Sequence, residues 1–200
     1  MQLIHVSEPE HNILLNMKKA ASILHHKPDI VMFENPPSFL SDLNNFEPGN
    51  KPEAIIKEWL DLTLRSADRY PWLKTEVKVI KAIMRLWESG NQVLLFEIDG
   101  PFDLTGLEIG EDGIMNRVWN FLRAICMKNN IQKIEETYPK SKAIIFLHNL
   151  HWKNILFLRE KPAKGAIFQY FFREYRDPQQ VEILISNEVL LKYWKKESGF

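Results

Sequence analysis

Lys27-Pro28-Asp29-Ile30-Val31-Met32-Phe33-Glu34-Asn35-Pro36-Pro37 is the stretch that decides the fold of this chain. Four consecutive apolar residues, two of them β-branched, lie between proline breakers and lead directly into a carboxylate. A short apolar run of β-branched and bulky residues bounded by breakers in this way reads as a strand. Pro28 restricts the residue before it and so ends the segment that precedes the strand.

Working outward, three more apolar runs end in residues that bind metals or move protons. Leu3-Ile4 leads to His5, Val93-Leu94-Leu95-Phe96 leads to Glu97 and Asp99, and Ile144-Ile145-Phe146-Leu147 leads to His148, Asn149 and His151. The strands are expected at residues 3–6, 29–34, 92–98 and 142–147. Helical periodicity fills the intervals between them. After the first strand, Ser7 and Glu10 have capping-box spacing, and Leu14, Met17, Ala21 and Leu24 form one apolar face. His25, His26 and Lys27 follow at the helix end, where cations complement the dipole. Ile55, Ile56, Trp59 and Leu60 predict a second helix, and Ile80, Ile83, Met84 and Trp87 a third, with Tyr70-Pro71 between them. A long helix is expected from about residue 112 to 136, with Val118, Leu122, Ile125 and Cys126 on one face.

Strand–helix alternation of this kind implies right-handed crossovers and parallel strands. The C-terminal pattern differs. Residues 167–175 and 181–186 flank Asp177-Pro178 and predict an antiparallel hairpin, followed by a short helix carrying Leu190, Leu191 and Trp194. The expected architecture is therefore α/β, a mainly parallel sheet with helices on both faces and a C-terminal antiparallel hairpin. Residues 1–200 are expected to form a single domain, with the hairpin and helix at about 165–197 as its extension.

Lys+Arg and Asp+Glu both total 26, giving a formal net charge of zero. Broad binding to nucleic acid or to an anionic membrane needs a basic excess that is absent here. No apolar stretch approaches the roughly 20 residues of a membrane span, and the first residues lack the pattern of a secretory signal. The one cysteine, Cys126, excludes an intramolecular disulfide and fits a reducing compartment, so the cytoplasm is the expected location. The aromatic residues at 168–175 offer a surface for self-association into a homo-oligomer, although core packing is the expected role for them.

If the four runs are parallel neighbours, their carboxyl ends face one crevice, the usual ligand position in an open α/β sheet. His5, Glu34, Glu97, Asp99, His148 and His151 would then supply imidazole nitrogen and carboxylate oxygen, the donors that a catalytic divalent ion takes. Such an ion lowers the pKa of bound water to about 7 and polarises a carbonyl. Crowded carboxylates without a cation would cost several kcal/mol per desolvated charge, which favours a counter-ion. Each of these groups also has an ordinary reading as a polar strand-end residue. Arg117, early in the long helix, opposes the macrodipole and so calls for an acidic partner or a ligand anion.

The order of these features resembles the superfamily that includes TraB/PrgY, GumN, the Tiki metalloproteases, ChaN and erythromycin esterase. Members open with a strand ending in G-x-x-H, matched by Gln2-Leu3-Ile4-His5, followed here by Val6-Ser7. A "PD-x-V-x-x-E" strand comes next, and Pro28-Asp29-Ile30-Val31-Met32-Phe33-Glu34 matches it closely. An arginine at the head of a long helix corresponds to Arg117. A second G-x-x-H corresponds to His148-Asn149-Leu150-His151. Gln2 and His148 stand where the family has glycine, the residue that permits tight backbone turns.

The resemblance spans about residues 2–158 and implies an α/β fold. For some relatives it also implies metal-dependent hydrolysis; others bind haem or sequester peptides. On that basis the expected activity is metal-dependent hydrolysis of an ester or peptide bond in a small-molecule or peptide substrate. His5, Glu34 and His151 would hold zinc or manganese, with His148 or Asn149 as a further ligand or transition-state donor. Glu97, or Glu8, would act as general base, and Arg117 would orient Glu34 or bind a substrate carboxylate. The alternative is a non-catalytic protein that binds haem or a small peptide in the same crevice.

Overall fold

A computed structural model of the chain describes residues 1–8, 14–34, 73–99 and 113–160, together with 57, 60, 61, 64 and 65. The expected hairpin and final helix, and the segments at 35–52 and 100–112, lie outside these residues. So does Glu10 of the capping box. The elements in chain order are β1 (Gln2–Glu8), α1 (Leu14–His26), β2 (Ile30–Phe33), α2 (Leu73–Glu88), β3 (Leu94–Glu97), α3 (Gly113–Thr137), β4 (Lys142–His148) and α4 (Asn149–Glu160).

The four strands form one all-parallel sheet in the order β1-β4-β2-β3, so the fold is α/β. The expected strands are all present. β1 runs on to Glu8, and Ser7 is a strand residue opposite Leu147 rather than a helix cap. Asp29 joins three strands at their amino ends: its amide donates to the Lys142 carbonyl, its carbonyl accepts from Leu94, and its carboxylate accepts from the Lys142 amide, each at 2.8 Å.

The chain separates into two compact units, Met1–Ile98 with Ile134–Asn149, and Asp99–Lys133 with Leu150–Phe200. The first unit contains the sheet. Side chains alternate along each strand, and the registers sort them between two faces. Ile4, Val6, Val31, Phe33, Leu95, Ile144 and Phe146 point one way and pack with Ala20, Ile23, Val79, Ile80, Ile83 and Leu86 of α1 and α2. On the other face Ile30, Met32, Ala143, Ile145 and Leu147 are fully buried, and Phe96 meets the Tyr138 ring at 6.0 Å. Burial on both faces explains the unbroken apolar runs of β2 and β4. Each fully buried side chain of this size contributes about 1.5–3 kcal/mol.

Helix α1 is turned differently from the sequence expectation. Its buried residues are Lys19, Ala20 and Ile23, while Met17 is 44% exposed and Ala21 is also on the surface. The buried centre is thus about a third of a turn from the stripe expected through Met17 and Ala21, although Leu24 of that stripe does pack against the core. The helix ends as the histidines and Pro28 predict. The Lys27 amide donates to the Ile23 carbonyl at 2.9 Å, and Lys27 takes a left-handed φ of 45°, which is an αL cap built without glycine. α2 closes with a Schellman motif: Gly90 donates to Trp87 and Asn91 to Leu86, both at 2.9 Å. Gly90 has φ 86°, which a side chain would strain. Its apolar face through Ile80, Ile83, Met84 and Trp87 is the expected one.

In the second unit Ala124, Ile125, Met127 and Ile131 are buried along α3, and Ile155 and Leu158 along α4. Cys126 is half-buried and accepts a hydrogen bond from the Asn130 amide at 3.6 Å. No helix among the described residues is long and apolar enough to cross a membrane.

Candidate functional site

Strand order steps from β1 to β2 to β3 in one direction and then returns to β4, which lies between β1 and β2. Reversals of this kind create the crevice where α/β proteins bind ligands, outside the carboxyl ends of the strands. Three of the expected site residues lie here: His5 in β1, Glu34 directly after β2, and His148 at the end of β4.

His5 is three residues short of the end of β1, opposite Ile145. Its ring leans toward the strand end, and Nε2 donates to the Leu147 carbonyl at 2.9 Å. That contact fixes the Nε2–H tautomer when the ring is neutral, so Nδ1 carries the lone pair. Burial lowers the His5 pKa, the Leu147 carbonyl opposes that shift, and the charge of Lys18 reinforces it. His5 is therefore a neutral imidazole at pH 7.

Glu34 directly follows β2. Its amide extends the ladder by donating to the Phe146 carbonyl at 3.0 Å. Its side chain is 5% exposed, and Oε2 accepts from the His148 amide at 2.8 Å. His148 is the last residue of β4, and Asn149 begins α4 without an intervening loop. An amide at a helix start has no partner inside the helix, and a glutamate three residues along often reaches back to it. Here a glutamate 114 residues away does so. Carboxylate-to-amide contacts of this kind are about twice as strong as neutral ones.

The registers Met32↔Ile145 and His5↔Ile145 place His5 and Met32 on one sheet face, and Glu34 shares it two residues on. Two strand spacings and two residue rises put the His5 and Glu34 Cα atoms about 12 Å apart. A His and a Glu can share an ion over that span only if both lean toward β4, since each bond to the ion adds roughly 2 Å. The Leu147 and His148 contacts record this lean for both residues. Hydrogen bonding of a ligating imidazole to a carbonyl, and of a ligating carboxylate to a donor, is the usual outer-shell arrangement at protein metal sites. Both side chains thus lie on one sheet face at the ends of β1 and β2, each held by a contact with β4.

The remaining expected residues are distributed elsewhere. Glu97 pairs in register with Phe33, and therefore lies on the α1/α2 face, opposite to His5 and Glu34, at the far edge of the sheet. The His148 side chain has the strand position of Phe146, again on that face, so its backbone rather than its imidazole meets Glu34. Asp99 belongs to the second unit, where both carboxylate oxygens accept from Arg123 (Nε at 3.1 Å and 3.0 Å, with Nη2 also on Oδ2). Arg117 is in the same helix as Arg123, and its side chain lies outside the described residues. His151 is also in the second unit, buried on one face of α4 with Asn154, Ile155 and Leu158. Among the described residues, no three His, Cys, Asp or Glu side chains are grouped so as to hold an ion.

Lys19 was not anticipated. It is 4% exposed, and its ammonium lies 5.8 Å from the Phe33 ring centre and 5.7 Å from that of Phe146. The two rings stack at 5.6 Å. The available signal was its spacing of four residues from Ile23, which extends the buried face of α1 through a charged side chain.

No protein family, curated protein or solved structure matches the chain.

Proposed function

We propose that the chain binds a small-molecule or peptide ligand at the carboxyl ends of β1, β4 and β2, and acts there as a metal-dependent hydrolase of an ester or peptide bond. The observation that carries this reading is the contact of His5 Nε2 with the Leu147 carbonyl, on the same sheet face as Glu34, whose carboxylate accepts from the His148 amide. His5 and Glu34 are two ligands for zinc or manganese. The ion would supply an activated water and polarise the scissile carbonyl. The family order through His5, Glu34 and His151 supports the same chemistry by resemblance.

The second reading is non-catalytic binding of haem or a small peptide in this crevice. It is favoured by two contacts, Glu34 with the His148 amide and Asp99 with Arg123, since both carboxylates already have donors from the chain. The case for a resident cation as counter-charge weakens accordingly.

Elemental analysis of native protein and calorimetric titration with zinc and manganese decide between the readings. Stoichiometric metal binding, abolished in His5→Ala, supports the hydrolase, and His148→Ala and His151→Ala titrated in turn identify a further ligand. Absence of metal binding, with haem or peptide bound and recovered unchanged, establishes the second reading. Absence of both overturns the crevice.

A further inference from the structure

We propose that Lys19 is a positioning residue for the candidate site, one that fixes the ends of β2 and β4 so that Glu34 meets the His148 amide. The role rests on the crevice reading above, but the geometry beneath it does not.

A desolvated ammonium is expensive inside a protein, and an apolar side chain of similar volume is commonly the more stable choice. Lys19 nevertheless occupies the centre of the α1 interface at 4% exposure. What it offers that leucine or methionine could not is direction. A cation is attracted to the faces of aromatic rings, and the Lys19 ammonium lies at nearly equal distances from two of them, 5.8 Å and 5.7 Å. The rings belong to Phe33 and Phe146, register partners on adjacent strands. They are the last apolar pair on this face before the strands end. One ammonium therefore restrains β2 against β4, and both against α1.

The next rung of the ladder is the site itself. Glu34 follows Phe33, its amide donates to the carbonyl of Phe146, and its carboxylate accepts from His148 two residues beyond Phe146. A slip between the two ring-bearing strands would lengthen both contacts. The rings that Lys19 meets lie on the sheet face opposite to Glu34 and His5. Lys19 acts through Phe33 and Phe146, from that face of the sheet.

The test uses the full chain, with the His148 amide proton resonance as the reporter. In the parent protein a charge-assisted hydrogen bond shifts that resonance downfield, and Glu34→Gln supplies the reference position for a weakened bond. Lys19→Met, which preserves the packing volume, is expected to move the resonance at least halfway to the Glu34→Gln position. Lys19→Arg is expected to restore it. Should Lys19→Met not fold, Lys19→Gln reads the same shift. On the crevice reading, the apolar variant also weakens zinc or manganese binding about tenfold, and the arginine variant does not. A His148 resonance unmoved by loss of the Lys19 charge overturns the proposal whatever the metal result. A moved resonance in a protein that binds no metal retains Lys19 as a positioning residue and removes only the hydrolase.

Discussion

Replacement of Glu34 provides the most direct measure of how the candidate site is held together. The carboxylate is 5% exposed and accepts from the His148 amide at 2.8 Å. Hydrogen bonds to charged groups contribute about 1.5–3 kcal/mol, against about 1 kcal/mol for neutral ones. Glu34→Gln keeps an acceptor in place, so the contact with His148 weakens by about 1 kcal/mol. Glu34→Ala leaves the amide without that acceptor at a strand-to-helix junction, and an orphaned buried donor costs roughly 1–3 kcal/mol. We therefore expect the alanine variant to lose about 2–3 kcal/mol, a fall in the folding constant of about 30- to 150-fold, with glutamine intermediate. Urea denaturation with unchanged m-values reads these differences as shifts in midpoint. An alanine variant within about 0.5 kcal/mol of the parent would refute the reasoning, because the junction would then not depend on the carboxylate.

Three other expectations follow from particular residues. Ile23→Ala should cost about 2–5 kcal/mol by opening a cavity in the α1 interface, whereas Met17→Ala, at a position 44% exposed, should stay within about 0.5 kcal/mol; equal losses in thermal or chemical denaturation would show that α1 is turned the other way. Burial holds His5 below its ordinary value of 6.5, so its contribution to stability is complete above that pH and is lost as pH falls from 6.5 toward the folded-state value. In a series of denaturation curves from pH 7.5 to 5, His5→Gln should therefore lose less stability than the parent, with a residual slope from His26, whose pKa is lowered by its own desolvation, His25 and Lys142; a steeper slope in the variant would invert the sign. Lys27→Gly should relieve the left-handed φ of 45° and stabilise by about 0.5–1 kcal/mol, seen as a rise in Tm of roughly 2 °C; a fall would place the capping strain elsewhere.

The fold was legible wherever a pattern is written in consecutive residues. β2 and β4 are unbroken apolar runs because both of their faces are covered, and the breakers Pro28 and Pro139 lie just outside elements that end there. The phase of α1 was hidden for a physical reason. Lysine counts as polar in any periodicity, yet Lys19 is buried with its ammonium over two rings from β2 and β4, and those rings are distant in sequence. Ser7 was misleading because the spacing to Glu10 satisfies a capping box, while pairing with β4 extends β1 through it.

The candidate site was legible as a set of residues but not as an arrangement. Spacing alone put Glu97 beside Glu34. The register Phe33↔Glu97 instead assigns them to opposite faces, since a difference of one residue reverses a strand side chain. The contact between Glu34 and the His148 amide could not have been read at all, because a backbone donor has no residue identity. The Asp99–Arg123 pair was similarly missed, because its members are 24 residues apart in different elements.

The position of β4 bears on how the molecule comes to be folded. The strand made last of the four stands between the first and the second, and among the described residues β1 pairs only with β4. As the chain leaves the ribosome, β1 must therefore wait through about 140 residues of synthesis for its neighbour, and β2 has only one of its two sides occupied until then. Loop closure over such a separation is entropically costly before any pairing compensates for it, which makes folding slow. The two strand edges that later flank the crevice remain open to wrong partners throughout that interval. The sheet thus cannot be completed cotranslationally before residue 148 is available, and its need for protection is greatest just before that point.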